Sequence, residues 1–391
     1  MNTASRTRPA WTATALLATA AILLTGCAGA ADASTPAADG ASGSSDAILQ
    51  AVAEYEAMTG PIAEWPTVTE ITAPPALQGK TVWYVPMVGG IPTMATIGDG
   101  VAEALSHLGA EVKVCDGQGL PTAVADCLRQ ARSQGAAAVV TAYVDYNIAS
   151  SAFEELVDAG IPVVIGGVAP AEGRPADAGL AYFEQDVYNG AIFELAAGAA
   201  LAARGEDTDV LWVRAMDTPT TQRASDMGIE RFRTLCPECT IVTVDASTPQ
   251  LDKLPSEVSA ALVANADVNT VFVPMDAYVP TVSQGIAGTG RAGQLDIIST
   301  GADLAGLQRI EAGQQTIDLG VPPIFTGWAF ANALVQHMAG MPVEVQREQV
   351  VRFFNGDNVT GLTLDAAAYA SPDWYGDSGY EQNYLTAWGV D

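Results

Sequence analysis

The chain has 391 residues, with 17 Lys and Arg against 45 Asp and Glu, a formal net charge of -28 and 49% hydrophobic residues. An apolar half supplies a core and excludes global disorder, and the length suits two large lobes. So acidic a chain has no basic surface with which to displace counterions from nucleic-acid phosphates or to dock on anionic lipid.

The first 26 residues read as a signal peptide. Arg6 and Arg8 form a positive start, and the apolar stretch from Trp11 to Leu24 is shorter than the roughly 20 residues a membrane span needs. It ends in Leu24-Thr25-Gly26-Cys27, which resembles the lipobox of bacterial lipoproteins, where the cysteine is lipidated and becomes the first mature residue. Removing Arg6 and Arg8 leaves 15 basic against 45 acidic residues, a mature charge of -30. Residues 27–45, almost all Ala, Gly, Ser, Thr, Pro and Asp, read as a lipidated cysteine and a flexible tether. One lipid chain and a tether would hold a folded body just off a membrane.

Residues 46–79 form an N-terminal extension. Ala47–Met58 predicts a helix, and the proline-rich stretch from Pro61 to Gly79 predicts extended chain on the surface. From residue 80 short β-branched runs alternate with amphipathic runs. Strands are predicted at Thr81–Pro86, Glu111–Val114, Ala137–Thr141, Pro162–Ile165 and Ala178–Phe183. The intervening helices place Ile97, Val101, Leu105 and Leu108 on one face, run from Thr122 to Ser133, and close at Gly160 as a C-cap. Asp186 is an N-cap for a helix over Val187–Ala203. The alternation then restarts, with strands at 209–214, 240–244, 270–274, 295–299 and 315–320 and helices at 219–235, 255–264, 278–288, 303–312 and 325–339. Apolar strands alternating with helices predict α/β architecture, two doubly wound parallel-sheet lobes with a site where the carboxyl ends of their strands face each other. Lobe 1 is assigned residues 80–185 and 320–350, lobe 2 residues 186–319 and 351–360, and the Tyr- and Trp-rich residues 361–391 form a C-terminal segment.

With Cys27 set aside, Cys115, Cys127, Cys236 and Cys239 remain. An even number in an exported chain predicts disulfides, with three pairings open; the simplest joins Cys115 to Cys127 and Cys236 to Cys239. Cys236-Pro237-Glu238-Cys239 follows a helix instead of opening one, so a structural bridge fits better than a redox motif. His107 and His337 have no ligand spacing to a cysteine pair, and no metal or cofactor is expected.

No catalytic constellation emerges. There is no HExxH or GxSxG motif. Gly79-Lys80-Thr81 lacks the upstream glycine of a phosphate loop, and Gly285–Gly290 closes a helix. The chain is read as a binding protein and not an enzyme.

Several patterns then align in order. They are Gly117-Gln118-Gly119 before the helix Thr122–Ser133, Phe153–Val164, Arg223 with Gly228 five residues on, Asp303 after Ser299-Thr300-Gly301, the spacing from Gly313 to Pro323, and Tyr384–Gly389. With the lipobox and the two lobes they resemble type I periplasmic binding proteins, the ribose-binding-protein-like solute receptors of bacterial ABC transporters, in their actinobacterial form. The resemblance runs from Lys80 to Gly356. It implies a three-stranded hinge near Gln185-Asp186, Leu319-Gly320 and Val351–Asn355, closure around a ligand, an ABC permease as partner, and a monomer on the outer side of the membrane.

Carried over position by position, the resemblance implies a ligand set of Met87, Ile91, Tyr143, Arg223, Met275, Asp276, Asp303 and Val321. The loop Met87–Pro92 lacks the family's aromatic residues, an acidic–arginine pair is replaced by Gly167-Val168, an asparagine by Met275 and a glutamine by Val321. Hence the expected ligand is a sugar or sugar-like molecule with an apolar face, a less polar ligand such as a nucleoside or amino acid derivative being the alternative; a sensory receptor or an exported hydrolase are the competing roles. Plainer readings also exist. Arg223 can pair with Asp226 or Asp217 on the surface, Asp276 and Asp303 can cap helices, Tyr143 can pack a strand end, and Met87 and Met275 can be core.

Overall fold

The computed structural model describes residues 39–183, 186–344 and 350–390. The signal peptide, Cys27, the tether up to residue 38 and Gln185 lie outside the described residues.

The first helix, α1, spans Asp39–Ala57, so it begins upstream of the helix expected from Ala47. Ile48, Ala51 and Tyr55 anchor it in a lobe 2 core. Lobe 1 then unfolds as β1 (Thr81–Pro86), α2 (Pro92–Ser106), β2 (Glu111–Val114), α3 (Pro121–Ser133), β3 (Ala138–Ala142), α4 (Ser150–Asp158), β4 (Val163–Gly166) and β5 (Leu180–Phe183). Its sheet runs β2-β1-β3-β4-β5 with every pair parallel. As expected for a parallel sheet covered on both faces, β1, β3, β4 and β5 are almost wholly buried. Gly160 (φ +71°) ends α4 in the left-handed conformation that glycine alone adopts freely.

Lobe 2 comprises α5 (Asp186–Ala202), β6 (Val210–Ala215), α6 (Pro219–Leu235), β7 (Ile241–Ala246), α7 (Leu254–Ala264), β8 (Thr270–Val273), α8 (Val279–Gly288), β9 (Asp296–Thr300), α9 (Leu304–Glu311) and β10 (Ile317–Gly320). The chain then returns to lobe 1 as α10 (Pro323–Met338) and comes back as β11 (Arg352–Asn355). The second sheet runs β11-β10-β9-β8-β6-β7. Its one departure from parallel order is the antiparallel pairing of β10 with β11, Leu319 opposite Phe353. The segments expected at the hinge, Leu319-Gly320 and Val351–Asn355, thus form a ladder with each other.

Helix α10 shows why a crossing helix reads as hydrophobic all round: 14 of its residues are buried. It lies between the lobe 1 sheet, α2 and the C-terminal segment. The crossing with α2 is glycine on glycine. A methyl group at Gly100 would sit 2.3 Å from the Ile324 carbonyl oxygen, and one at Gly327 would sit 2.3 Å from that of Ile97.

The termini depart most from expectation. The stretch from Pro61 to Gly79 has no regular structure, but it is not merely superficial: Ile71 and Leu77 are buried in the lobe 1 core. Its prolines keep it extended, and its apolar side chains turn inward. The C-terminal segment forms α11 (Gly356–Val359), α12 (Ala366–Tyr369) and α13 (Gly379–Ala387). Tyr380, Tyr384 and Trp388 join the lobe 1 core, whereas Tyr369, Trp374 and Tyr375 pack with Ala302, Leu307 and Phe354 of lobe 2. The two terminal stretches are hydrogen-bonded together, Ile62 N–H to the Tyr375 carbonyl and Ile71 N–H to that of Ala387.

Disulfides join Cys115 to Cys127 and Cys236 to Cys239. The first ties the turn after β2 to α3; the second closes the turn between α6 and β7.

Candidate ligand-binding cleft

Every residue carried over as a ligand contact lies just past the carboxyl end of a strand, or on the helix that follows one. Met87 and Ile91 follow β1, and Tyr143 follows β3; these neighbouring strands end in register, Pro86 opposite Ala142. In lobe 2, Arg223 lies on α6 after β6, Met275 and Asp276 follow β8, Asp303 follows β9 and Val321 follows β10, in sheet order. Each lobe therefore gathers its candidates on one edge.

On the lobe 1 edge, local bonds fix the backbone. One carboxylate oxygen of Asp116 accepts the N–H groups of Gly89 (2.6 Å) and Gln118 (2.8 Å), clamping the loop after β1 to the turn after β2. Met87 donates its N–H to the Ala142 carbonyl and accepts from Gly119. Tyr143 is held at φ +58°, with its N–H on the Gly166 carbonyl, and its ring lies over Gly167, where a methyl group would approach to 2.8 Å. Non-glycine residues in the left-handed region are uncommon; the three here, Gln118, Tyr143 and Ala302, all follow strands at this end of the sheets. Burial pushes the Tyr143 hydroxyl up to about 12, so it is a neutral donor. Met87 packs against the lobe 1 core that contains Val168, and Ile91 is half-buried just before α2.

The lobe 2 edge is built on acids. Asp276 is 4% exposed, and both its oxygens are engaged: one accepts from the Ser299 hydroxyl (2.6 Å) and Arg309 (3.3 Å), the other from the Asp303 N–H (2.7 Å). Behind it Asp318, fully buried, accepts from Ala302 N–H and Gln315. Burial first, then the neighbouring carboxylates, raises both acids, Asp318 the more strongly. A methyl group at Gly306 would meet Asp318 at 2.5 Å and Asp276 at 2.7 Å, so this cluster needs glycine there. Asp303 does cap a helix, accepting Gly306 N–H at 2.6 Å; its other oxygen has no protein partner among the described residues. Asp276 caps nothing and acts as the brace under Asp303. Asp226 is bound by Arg214, and Asp217 by Tyr278 and Thr248; Arg223 is exposed on the first turns of α6.

Hydrogen bonds among the described residues join the two edges. Ala169 N–H, after β4, donates to the Thr220 hydroxyl in the first turn of α6 (3.4 Å). The hydroxyls of Thr93, in the first turn of α2, and Tyr369, on the C-terminal segment, lie 3.1 Å apart. Sequence reasoning missed Asp116, Thr93 and Tyr369. Asp116 sits beside a cysteine within the turn Gly117-Gln118-Gly119, which was a usable signal; nothing in a four-residue helix announces Tyr369. A separate recess of about 390 Å³ opens between the first turns of α3 and α4, where Arg129 is already paired with Glu155.

Two α/β lobes, each with its candidate residues at the carboxyl ends of its strands, define a type I periplasmic binding protein, a solute-binding protein of the extracytoplasmic side and not an enzyme. The chain belongs to the periplasmic binding protein domain family, which it matches over residues 82–342. No curated protein matches it in sequence. Similar solved structures include the 5-methylthioribose transporter solute-binding protein of Thermotoga lettingae in complex with 5-methylthioribose (14% identity, TM-score 0.65, covering 81% of this chain and 99% of that one). A sugar ABC transporter protein from Yersinia enterocolitica (16%, 0.64, 82% and 98%) and an Agrobacterium vitis solute-binding protein bound with α-D-tagatopyranose (19%, 0.62, 73% and 97%) share the fold. No helix among the described residues is long and apolar enough to cross a membrane.

Proposed function

We propose that this chain is the receptor of an ABC importer, that it is held at the membrane by lipid on Cys27, and that it presents a sugar or sugar-like molecule to a permease as a monomer. The observation that carries the reading is Asp303, braced by Asp276 and left with one oxygen that has no protein partner among the described residues; Met275 and Val321 follow the neighbouring strands of lobe 2, and Met87, Ile91 and Tyr143 follow strands of lobe 1. A carboxylate in a largely apolar cleft suits a ligand with vicinal hydroxyls at one end and an apolar face at the other. The structural neighbours support the class: their ligands include a ketose, a cyclitol and a methylthio sugar. Arg223 extends the polar side from α6.

The test is a thermal-shift panel of D-tagatose, D-ribose, myo-inositol, 5-methylthioribose, nucleosides and amino acids. A ligand at 100 times its Kd adds about 2.7 kcal/mol of stability. A shift with one of the first four, lost in Asp303→Asn and reduced in Arg223→Ala, is expected. A shift confined to nucleosides or amino acids would overturn the carbohydrate assignment. For the anchor, Cys27→Ala should release the protein from the membrane fraction; retention would refute lipidation there.

A further inference from the structure

The edge loop of lobe 1 lacks an aromatic side chain, and the aromatic residue whose hydroxyl reaches across to the first turn of α2 comes from outside the matched family region, which ends at residue 342. Tyr369 is 7% exposed. Its segment belongs to lobe 2 by packing: Asp365 caps the short α12 by accepting Ala368 N–H, and the ring packs against Trp374 at 5.6 Å within the cluster containing Ala302 and Leu307. Trp374 is itself fixed, its indole N–H on the Thr363 carbonyl at 2.8 Å and its own carbonyl accepting from Arg352. From this anchored position the Tyr369 hydroxyl reaches Thr93 on α2 of lobe 1. The ring packs in one cluster with Ala302 and Leu304, the residues on either side of Asp303, and burial pushes the hydroxyl up to about 12, which keeps it protonated.

We propose that Tyr369 is a ligand-positioning and specificity residue of the cleft: it spans from lobe 2 to Thr93 of lobe 1 beside Asp303, and supplies the aromatic wall and hydroxyl that the lobe 1 loop lacks. This rests on the solute-binding reading above and names a residue of the same site. A hydroxyl-bearing ligand seated on Asp303 meets the Tyr369 hydroxyl and ring together, so the C-terminal segment, lying outside the common domain, sets which ligands fit. The same hydroxyl joins the two lobes through Thr93.

Two measurements on the full mature chain test this. The first is the affinity of wild type, Tyr369→Phe, Tyr369→Ala and Thr93→Val for D-tagatose, D-ribose, myo-inositol and 5-methylthioribose by calorimetry. Loss of one hydrogen bond should weaken the bound sugar roughly three- to tenfold in Tyr369→Phe, loss of the ring should cost more in Tyr369→Ala, and the rank order of the sugars should change. Unchanged affinities and rank order in both Tyr369 variants would overturn the proposal while leaving the sugar-binding reading intact. The second needs no ligand: small-angle scattering of the sugar-free proteins. Tyr369→Phe and Thr93→Val should both show a larger radius of gyration, as lobes freed of the bond separate further. If wild type binds none of the four sugars, the carbohydrate reading falls and scattering decides Tyr369; dimensions equal to wild type in both variants would then refute it. Thr93→Val keeps side-chain shape, so the test survives poor folding of Tyr369→Ala.

Discussion

The backbone N–H of Asp303 donates to a carboxylate oxygen of Asp276 at 2.7 Å, so the half-buried acid proposed for the ligand is oriented by a buried one. Asp276→Asn should therefore weaken ligand binding through its hold on Asp303. The amide cannot accept through both of its atoms, and either Asp303 N–H or Arg309 is left facing another donor. Replacing a satisfied buried group in this way costs about 1–3 kcal/mol, and affinity should fall by roughly an order of magnitude at the same time. Calorimetry on the best-binding sugar checks it; a variant that binds like wild type would sever the link between the two aspartates.

Asp318 gives a pH dependence with a definite sign. Burial and the facing Asp276 raise it well above the usual carboxylate range, while an unfolded aspartate titrates near 3.9. Asp303, Arg309 and Gln315 complete the cluster around the pair. The native state holds a proton that the unfolded chain has released, so this contribution to stability is complete below about pH 4 and is lost as pH rises through the native value. On this account wild type should lose Tm as pH rises above about 4. Asp318→Asn carries the donor permanently and should show a flatter Tm profile, whatever its lost Gln315 contact costs at the starting pH. Parallel profiles would show that Asp318 is ionised in the native state.

The glycine crossing of α2 and α10 predicts a steric cost. Gly100→Ala places a methyl group against backbone atoms of Ile324 and Gly327, which cannot rotate away as a side chain could. Overpacking of this kind costs about 1–3 kcal/mol, a fall in Tm of several degrees in a thermal melt. Because α10 is the segment that returns from lobe 2, the variant reports on seating of the crossing helix; an unchanged Tm would mean that the helices separate freely.

Asp116→Ala should release the loop after β1 from the turn after β2. Affinity is expected to drop by about tenfold, because the loop bearing Met87 and Ile91 must then be ordered by the ligand, with Tm lowered by the loss of two charge-assisted bonds. Asp116→Asn retains an acceptor and should recover most of the binding. Equal losses in both variants would indicate that charge, and not the clamp, is what matters.

Much of this architecture is readable from local pattern. Runs such as Thr81–Pro86 or Thr270–Val273 are β-branched and buried on both faces, and their helices carry clear apolar stripes, so they can be placed within a residue or two. The short separations of the cysteines favoured the pairing that the structure contains. Asp303 could be read as a helix cap, and the cap is present. What escaped the sequence depends on tertiary partners. The edge strand Arg352–Asn355 is only four residues long and needs β10 to exist. The helical start of α1 depends on packing by residues further along it. Tyr369, Trp374 and Tyr384 lie in a segment with no period, where each ring is buried by a different neighbour. The bracing role of Asp276 is a matter of which oxygen faces which amide, and spacing along the chain carries no such information.

The interleaving of Ile71 and Leu77 with Tyr380, Tyr384 and Trp388 in a single core has a consequence for how the protein reaches its destination. A chain that is threaded outward from its N-terminus exposes the lobe 1 sheet long before the rings that seal it arrive. Lobe 1 stays incomplete until the last dozen residues have emerged, whereas lobe 2 has its own sheet and most of its cores by residue 355. Maturation should thus proceed from the second lobe to the first, and truncation near the C-terminus should leave a chain that crosses the membrane but remains open to proteolysis in the lobe made first.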